Sequence, residues 1–435
     1  MALVLCASSL PAVGAVPWTK GSGALLAGLE PVALASASPT LATWAANFSL
    51  FNPSLLPLGG EAGRNGAALV FFRVSNMHFC RDGSWRDRLA QQTHLRSYLG
   101  AATLDTQSLT VSNPLVLRAA TELFRTEGTE CAASTWVPAG GGMSGTFSGP
   151  EDPRAFWSPG PSPRAPWLLT SVWSHDCTAL RMHLIKFHPR IQFAAADEQP
   201  TSQLTAPPPV ELPLVVGDWP DNAPLPHPMS EPIQKNWAPF VHDGRLYAEY
   251  SIEPHVVLLI DPANGRCVPV SRSRSPDEVD SCSADDAAGR TEVAAEAGGA
   301  FSSFAPLARL SASHGRVSGG VPPLHLPVQH AYLGLAHLKA SRELPQLLGT
   351  SQMPYKHLFY AFADTPPFRI IAAGRPFVMP EPALADRTPT VQFAAGMSLG
   401  SGGDDLLVSY SVRDCGARVA RVRLDEVLRD VGLEW

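Results

Sequence analysis

Apolar residues in this chain come in short runs, and the runs recur at wide, fairly even spacing. Ala67 to Val74 reads AALVFFRV, Trp167 to Trp173 reads WLLTSVW, and Arg245 to Ser251 reads RLYAEYS with His255 to Ile260 close behind. Ala331 to Leu338 reads AYLGLAHL and is followed by His357 to Phe362; Asp405 to Val412 reads DLLVSYSV and is followed by Val419 to Leu424. Each run is rich in β-branched, aromatic or leucine side chains and is bounded by Gly, Pro, Asp or Asn, which predicts strands rather than helices. Phe72, Leu168, Leu246, Leu333 and Leu407, taken as centres, lie 96, 78, 87 and 74 residues apart. Three of the runs follow a turn signal: Arg64-Asn65-Gly66, Asp243-Gly244 and Gly402-Gly403-Asp404. A polar turn leading into an apolar strand is a hairpin entry. Five such hairpin units predict an all-β chain folded as a five-bladed β-propeller; a pair of irregular β-sandwiches fits the spacing as well.

Between these units the pattern breaks. Residues 1–45 read as an N-terminal leader or disordered segment, and 46–435 as a single propeller domain. Residues 195–232, with Pro207-Pro208-Pro209 and a second proline run at 224–228, read as an extended connection between blades. Residues 271–300, made of Ser, Asp, Ala and Gly with mixed charge, read as a disordered acidic insertion. Helical periodicity is confined to Ser84–Leu99 and to a short C-terminal stretch, Leu424–Val431.

Composition agrees with this picture. Hydrophobic residues make up 45% of the 435 residues and charged residues 17%, enough apolar material for a large core. Pro (42) and Gly (35) together form about 18% of the chain, an excess that favours turns over long helices. The formal net charge of −6 argues against a general nucleic-acid partner, because phosphate contacts need a basic surface. No apolar run is long enough for a transmembrane helix. The first sixteen residues are apolar but lack a basic start, since the first cation is Lys20, which leaves cytoplasm and secretory pathway both open. The seven cysteines form no CxxC pair, so neither a zinc ribbon nor a thioredoxin-type site is expected; spacing alone allows a Cys267–Cys282 disulfide.

In a propeller, strand ends beside the central channel converge, so polar residues at corresponding points of separate blades meet in space. Five groups stand out. Arg73, with Ser75 and Asn76, closes a strongly apolar strand and must meet a charge or solvent. Glu151-Asp152-Pro153-Arg154 is a rigid acidic turn in which one carboxyl, aimed into a channel, can serve as general acid. Lys235-Asn236-Trp237 places a cation and an amide, suited to anions and sugar hydroxyls, beside an indole that would offer an apolar sugar platform. Gly319-Gly320-Val321-Pro322-Pro323 precedes a strand bearing His337, and Asp414 follows the last of the five runs. Taken singly, the first four have ordinary readings: a strand-end salt bridge, a surface Asp-Pro turn, a snorkelling lysine, a core histidine. No GxSxG elbow, Walker loop, HExxH or kinase set is present.

Read together, the motifs resemble glycoside hydrolase family 130, the β-mannoside phosphorylases and their relatives. Asn52-Pro53 ahead of Arg73, Glu151-Asp152-Pro153-Arg154, Lys235-Asn236 leading to Tyr250, Gly319-Gly320-Val321-Pro322-Pro323 ahead of His337, and Tyr410-Ser411-Val412-Arg413-Asp414 follow the family's order, one per unit, over about residues 50 to 430. Two positions depart from the family pattern: Ser411 stands where it has Gly, and Ala336 precedes His337. The resemblance implies a five-bladed propeller with an axial site and an enzyme acting on β-mannosides or related glycosides with inversion, as phosphorylase, glycosyltransferase or hydrolase. It assigns Asp152 as general acid, directly or through a sugar hydroxyl. Arg154, Lys235 and His337 would hold phosphate, and Arg73, Asn76, Glu151, Asn236, Trp237, Tyr250 and Asp414 would line the sugar site. Only one enzyme carboxyl is needed when phosphate attacks, unlike the two-carboxylate plan of most glycosidases. The implied partners are an oligosaccharide or glycoside, with inorganic phosphate or a sugar phosphate as co-substrate and neither metal nor organic cofactor. The alternative is a non-catalytic carbohydrate-binding or scaffold propeller.

Overall fold

The computed structural model describes residues 31–58, 66–76, 94–117, 131–132, 146–160, 164–173, 180–187, 210–216, 235–253, 255–272, 306–307, 310, 317–339, 355–380, 391–414 and 416–434. Among them the chain is nearly all strand, arranged as successive antiparallel meanders. The first runs Ser49–Pro57, Ala67–Ser75, His94–Asp105, Val111–Val116; the second Glu151–Trp157, Pro166–Trp173, Leu180–Lys186, Val210–Pro213. The third runs Ala238–His242, Arg245–Ile252, His255–Ile260, Arg266–Arg272. In the fourth, the short strands Val317–Ser318 and Leu324–Leu326 both pair with Ala331–Lys339, which continues to Tyr355–Ala363 and Ile370–Ala373. The fifth runs Gln392–Leu399, Asp405–Val412, Gly416–Arg423 and is completed by Val32–Ala33 from the other end of the chain.

The apolar core lies between the sheets. Leu56, Phe71 and Leu99 of the first meander pack on Leu168 and Ile185 of the second; Phe156, Leu169 and Leu184 of the second pack on Leu246 and Leu258 of the third. Phe240 and Tyr247 meet Tyr332 and Phe362 of the fourth, Leu333 and Phe359 of the fourth meet Val408 and Val422 of the fifth, and Leu407 and Val419 of the fifth return to Leu50 and Val70 of the first. Each sheet is therefore covered on both faces, which is why its strands read as continuous apolar runs instead of alternating ones. The first strands of the meanders sit inward: Ser49–Pro57 packs against both Glu151–Trp157 and Gln392–Leu399, and Glu151–Trp157 also packs against Ala238–His242. The approach is close. A Cβ on Gly396 would stand 2.5 Å from the Leu55 backbone nitrogen.

Several expectations need correction. The helix read over Ser84–Leu99 is, where described, the start of the strand His94–Asp105; its small residues Gly100, Ala101 and Ala102 pair across Phe72, Phe71 and Val70, and a Cβ at Gly100 would enter the Phe72 ring. Residues 84–93 lie outside the described residues. The N-terminal segment read as a leader over 1–45 is part of the fold from Val32 onward: the helix Pro39–Ala45 and the turn before it bury Leu34 and Leu41 in the core shared by the first and fifth sheets. Within the Pro-rich connection, Val210–Pro213 closes the second sheet and Val215–Val216 joins the third; the rest of 195–232, and 273–300, lie outside the described residues. Cys267 is a free, buried thiol, pushed up to about 12 by burial, rather than half of a disulfide; Cys282 is outside the described residues. The C-terminal helix is Leu424–Val431, as the periodicity predicts, with Gly432 in the left-handed conformation ending it. No helix among the described residues is long and apolar enough to cross a membrane.

Candidate functional site

In every meander the start of the first strand pairs with the end of the second: Ser49 with Ser75, Glu151 with Ser171, Ala238 with Glu249, Ser318 with His337, Gln392 with Val412. The polar motifs sit at this one end. Asn52, Asp152, Asn236 and Gly320 enter first strands, while Arg73, Tyr250, His337 and Asp414 leave second strands. Those entry residues share a backbone feature as well. Asn52, Asp152 and Asn236 have positive φ (52°, 51° and 65°), and Gly320 has 125°. Asn and Asp are the non-glycine residues that enter the left-handed region most readily, because their short side chains bond locally. At Asn52 and Asp152 the kink coincides with an identical register shift, between Phe51 and Ser54 and between Glu151 and Arg154. Such bulges re-aim side chains.

Asp152 is the centre of the group. Its Oδ1 accepts the Asn52 amide at 2.5 Å and lies 3.5 Å from Arg73 Nη1. Arg73 Nη2 reaches Glu151 Oε1 at 2.9 Å, its Nε donates to Ser97 Oγ at 2.8 Å, and its guanidinium covers the Phe51 ring at 4.9 Å. Burial pulls the Asp152 carboxyl upward, but Arg73, Arg154, the Asn52 amide and Lys235 pull harder, and it is held below the usual carboxylate range. Asp414 moves the other way. Burial, then the charge of Asp152, raise it to about 6 against the opposing pull of Arg73 and Lys235. Two carboxyls that sense one another in a buried site do not both ionise freely.

The cations are arranged unequally. Arg154 is 1% exposed; its Nη1 donates to the carbonyls of Asp152 and Pro153, while Nε and Nη2 are buried with no hydrogen-bond partner among the described residues. Its guanidinium lies over the Phe393 ring at 5.1 Å. Gly320 lies against it: a Cβ there would sit 3.3 Å from Arg154 Nη2 and 3.2 Å from the Asn236 Cβ. His337 is buried, stacked on Tyr355 at 5.4 Å and edge-on to Phe393 at 5.1 Å, and its Nε2 is without a partner among the described residues. Burial first, then Lys339, His357, Arg154 and Lys235, hold it far below the ordinary histidine range, so it is neutral near pH 7. Lys235 is exposed, yet its charge reaches Asp152, Asp414 and His337.

Arg73, Glu151, Asp152, Arg154, Lys235, His337 and Asp414 thus form one electrostatic cluster, with Asn236 at its edge beside Gly320. Three other residues fare differently. Trp237 is 1% exposed and packs edge-on to Tyr250 at 5.3 Å, within the core formed with Phe156, Leu169 and Met182. An indole enclosed on all sides offers no platform to a sugar, so that expectation is corrected. Tyr250 shares the same core. Asn76 pairs with the Arg96 backbone in both directions, through its own N–H and its side-chain carbonyl, which fastens the end of a strand.

The structure also adds residues not assigned a place from sequence. Ser411 donates to Asn52 Oδ1 at 2.7 Å, and Ser97 holds Arg73. Tyr355 stacks on His337 and is raised above the usual tyrosine range by burial and by the charges of Asp414 and Asp152. The Asn-Pro and Asp-Pro dipeptides opening the first and second meanders were a usable signal for Asn52. A serine inside an apolar strand, as at Ser411, gives none. Among the described residues no group of three or more His, Cys, Asp or Glu side chains is arranged to hold a metal ion.

No protein-family model matches the chain, and no curated protein sequence matches it. Solved structures do. The β-1,2-mannobiose phosphorylase from Listeria innocua, in complex with β-1,2-mannobiose, is 13% identical over 88% of this chain and 93% of its own, with a TM-score of 0.48. A glycosyl hydrolase from Bacteroides ovatus is 14% identical over 87% of this chain and 85% of its own, with a TM-score of 0.49. MPT-4, a mannose phosphorylase from Leishmania mexicana solved with phosphate ion, is 11% identical over 90% of each chain, with a TM-score of 0.39. At such identities and scores the chemistry is decided by this chain's own side chains.

Proposed function

We propose that this chain is a carbohydrate-active enzyme on a five-bladed β-propeller, the meanders being its blades, and that it acts on β-mannosides or related glycosides with inversion. The observation that carries the reading is the cluster just described. Residues from all five meanders, far apart in sequence, place Asp152, Glu151 and Asp414 among the cations Arg73, Arg154 and Lys235 at one end of the sheets, with neutral His337 in the field of Arg154 and Lys235. A buried mixture of carboxyls and unpartnered N–H donors suits a sugar together with an anion, and the motif resemblance points to the same pairing.

In this reading Asp152 delivers the proton to the leaving oxygen, directly or through a sugar hydroxyl. The carboxyl is ionised at rest, so it must gain its proton when the site fills. An arriving phosphate supplies the means. Bound at the free Nε–H and Nη2–H of Arg154 and beside Lys235, it offsets the cations that hold Asp152 down, and the carboxyl rises. Arg guanidinium suits phosphate through such paired donors. Neutral His337 donates or accepts one hydrogen bond at the same anion, depending on which ring nitrogen carries hydrogen. The in-line attack of phosphate on the anomeric carbon forms the sugar phosphate and expels the protonated leaving group, so one enzyme carboxyl suffices.

The test is a screen of mannose 1-phosphate and GDP-mannose as donors with mannose acceptors, read by phosphate release from the first and nucleotide release from the second. Turnover with the first donor supports phosphorolysis and with the second transfer. Sugar binding without turnover by any donor supports the non-catalytic reading instead.

A further inference from the structure

Two hydrogen bonds fix more than the position of Asp152. Both donors that approach this carboxyl, the Asn52 amide and Arg73 Nη1, approach Oδ1, and among the described residues none approaches Oδ2. The Asn52 amide could present either of its ends to the carboxyl. The Ser411 hydroxyl lies 2.7 Å from Asn52 Oδ1 and 3.5 Å from the Phe393 carbonyl; its shorter contact is to the amide oxygen, which, with the ionised Asp152 on the other side, leaves the amide nitrogen to face the carboxyl. Ser411 is fully buried and Asn52 is 4% exposed, so neither exchanges its partner for water. The chain of donors therefore runs in one direction, from the fifth sheet through the first to the second.

We propose that Ser411 and Asn52 are positioning residues that keep Oδ1 of Asp152 a hydrogen-bond acceptor and so confine its transferable proton to Oδ2. The inference rests on Asp152 being the acid of the proposed reaction. Reversing the amide would set a carbonyl oxygen against Oδ1, an arrangement tolerable only with a proton between them, and the proton would then sit on the wrong oxygen. The charged and titratable groups around Asp152 are Arg73 on the first sheet, Glu151 and Arg154 on its own strand, Lys235 from the third sheet, Tyr355 from the fourth and Asp414 from the fifth.

The experiment titrates Asp152 directly, by carbon NMR of protein labelled at the aspartate carboxyl carbon, with the signal assigned by its loss in Asp152→Asn. In Ser411→Ala the Asp152 titration moves to higher pH, because the amide no longer has a fixed end toward Oδ1. Ser409→Ala is the control: Ser409 is equally buried, lies two residues away on the same face, and donates to the Pro53 carbonyl instead of the Asn52 amide. It leaves the titration in place. Ser411→Cys, a weaker donor of similar size, gives an intermediate shift and covers the case in which the alanine variant is unstable. With a donor that is turned over, Ser411→Ala lowers kcat about tenfold, moves the alkaline limb of the pH profile in the same direction, and leaves KM within about twofold. Coincident titrations of Ser411→Ala and Ser409→Ala overturn the proposal, whether or not a donor is found. A shifted titration with no turnover on any donor upholds the hydrogen-bond control and counts against the enzyme reading alone.

Discussion

Asn52 and Asp152 occupy the same place in consecutive sheets, and their side chains meet at 2.5 Å. Each precedes a proline, each is left-handed, and each opens a one-residue register shift against the second strand of its own meander. The equivalence explains why the contact exists. Two first strands packed side by side, kinked at the same level, turn their kinked side chains toward one another. One of the pair is an amide and the other a carboxyl, so repetition of one backbone device yields a supported acid.

Asp414 makes stability depend on pH. Its folded value of about 6 lies above the ordinary carboxylate value of 3.8, so the folded state binds its proton more tightly than the unfolded state does. The associated stabilisation is full below about pH 4 and is lost as pH rises through 6. Asp414→Asn, which cannot ionise, is therefore expected to be more stable than wild type at pH 7.5, by on the order of 2 kcal/mol, and to lose that advantage near pH 4. Urea melts at the two pH values check this. An advantage that is the same at both would show that Asp414 is not raised.

His357 acts at the acid end. It is fully buried, neither ring nitrogen has a partner among the described residues, and burial takes it down to about 3. A histidine held down in the folded state favours folding above its unfolded value near 6.5 and costs stability as pH falls from there toward 3. His357→Leu removes this cost and is expected to raise stability at pH 5 by about 2 kcal/mol relative to its effect at pH 8. Melts of both proteins across that range measure the difference.

Anion binding should take up a proton. Sulfate is a dianion with no titration of its own near neutrality, and at Arg154 it would offset the charge that holds Asp152 ionised. Calorimetric titration of wild type with sulfate in two buffers of different ionisation enthalpy is expected to show net proton uptake at pH 6 to 7. Arg154→Met is expected to lose at least tenfold in affinity, the size of one charge-assisted hydrogen bond. Binding heats that do not depend on the buffer would count against the coupling.

Much of the fold was legible in the sequence because both faces of each sheet are buried. AALVFFRV, RLYAEYS and DLLVSYSV are the strands Ala67–Ser75, Arg245–Ile252 and Asp405–Val412 almost residue for residue. His94–Asp105 was not, since the helical periodicity read over Ser84–Leu99 runs into its first residues and the small residues Gly100, Ala101 and Ala102 that follow show no strand pattern until their partner strand is known. At the site, charged residues closing apolar strands advertised themselves, as Arg73 and Asp414 did. Trp237 misled because an aromatic next to a Lys-Asn pair looks alike from sequence whether it faces a cavity or the core. Ser411, Ser97 and Tyr355 owe their importance to a neighbour on another strand, which no local pattern encodes.

The central claim, that Asp152 is the acid of a sugar-acting site, is tested most directly by a paired comparison of Asp152→Asn and Glu151→Gln on whichever glycosyl donor proves active. An amide fills the carboxyl's space but cannot transfer a proton, so Asp152→Asn is expected to lower turnover by roughly 10²–10⁴-fold with the melting temperature essentially retained. Glu151 engages Arg73 at the margin of the cluster, and Glu151→Gln is expected to cost about tenfold or less, the scale of one weakened charged hydrogen bond. Wild-type turnover by a stably folded Asp152→Asn protein would contradict the account.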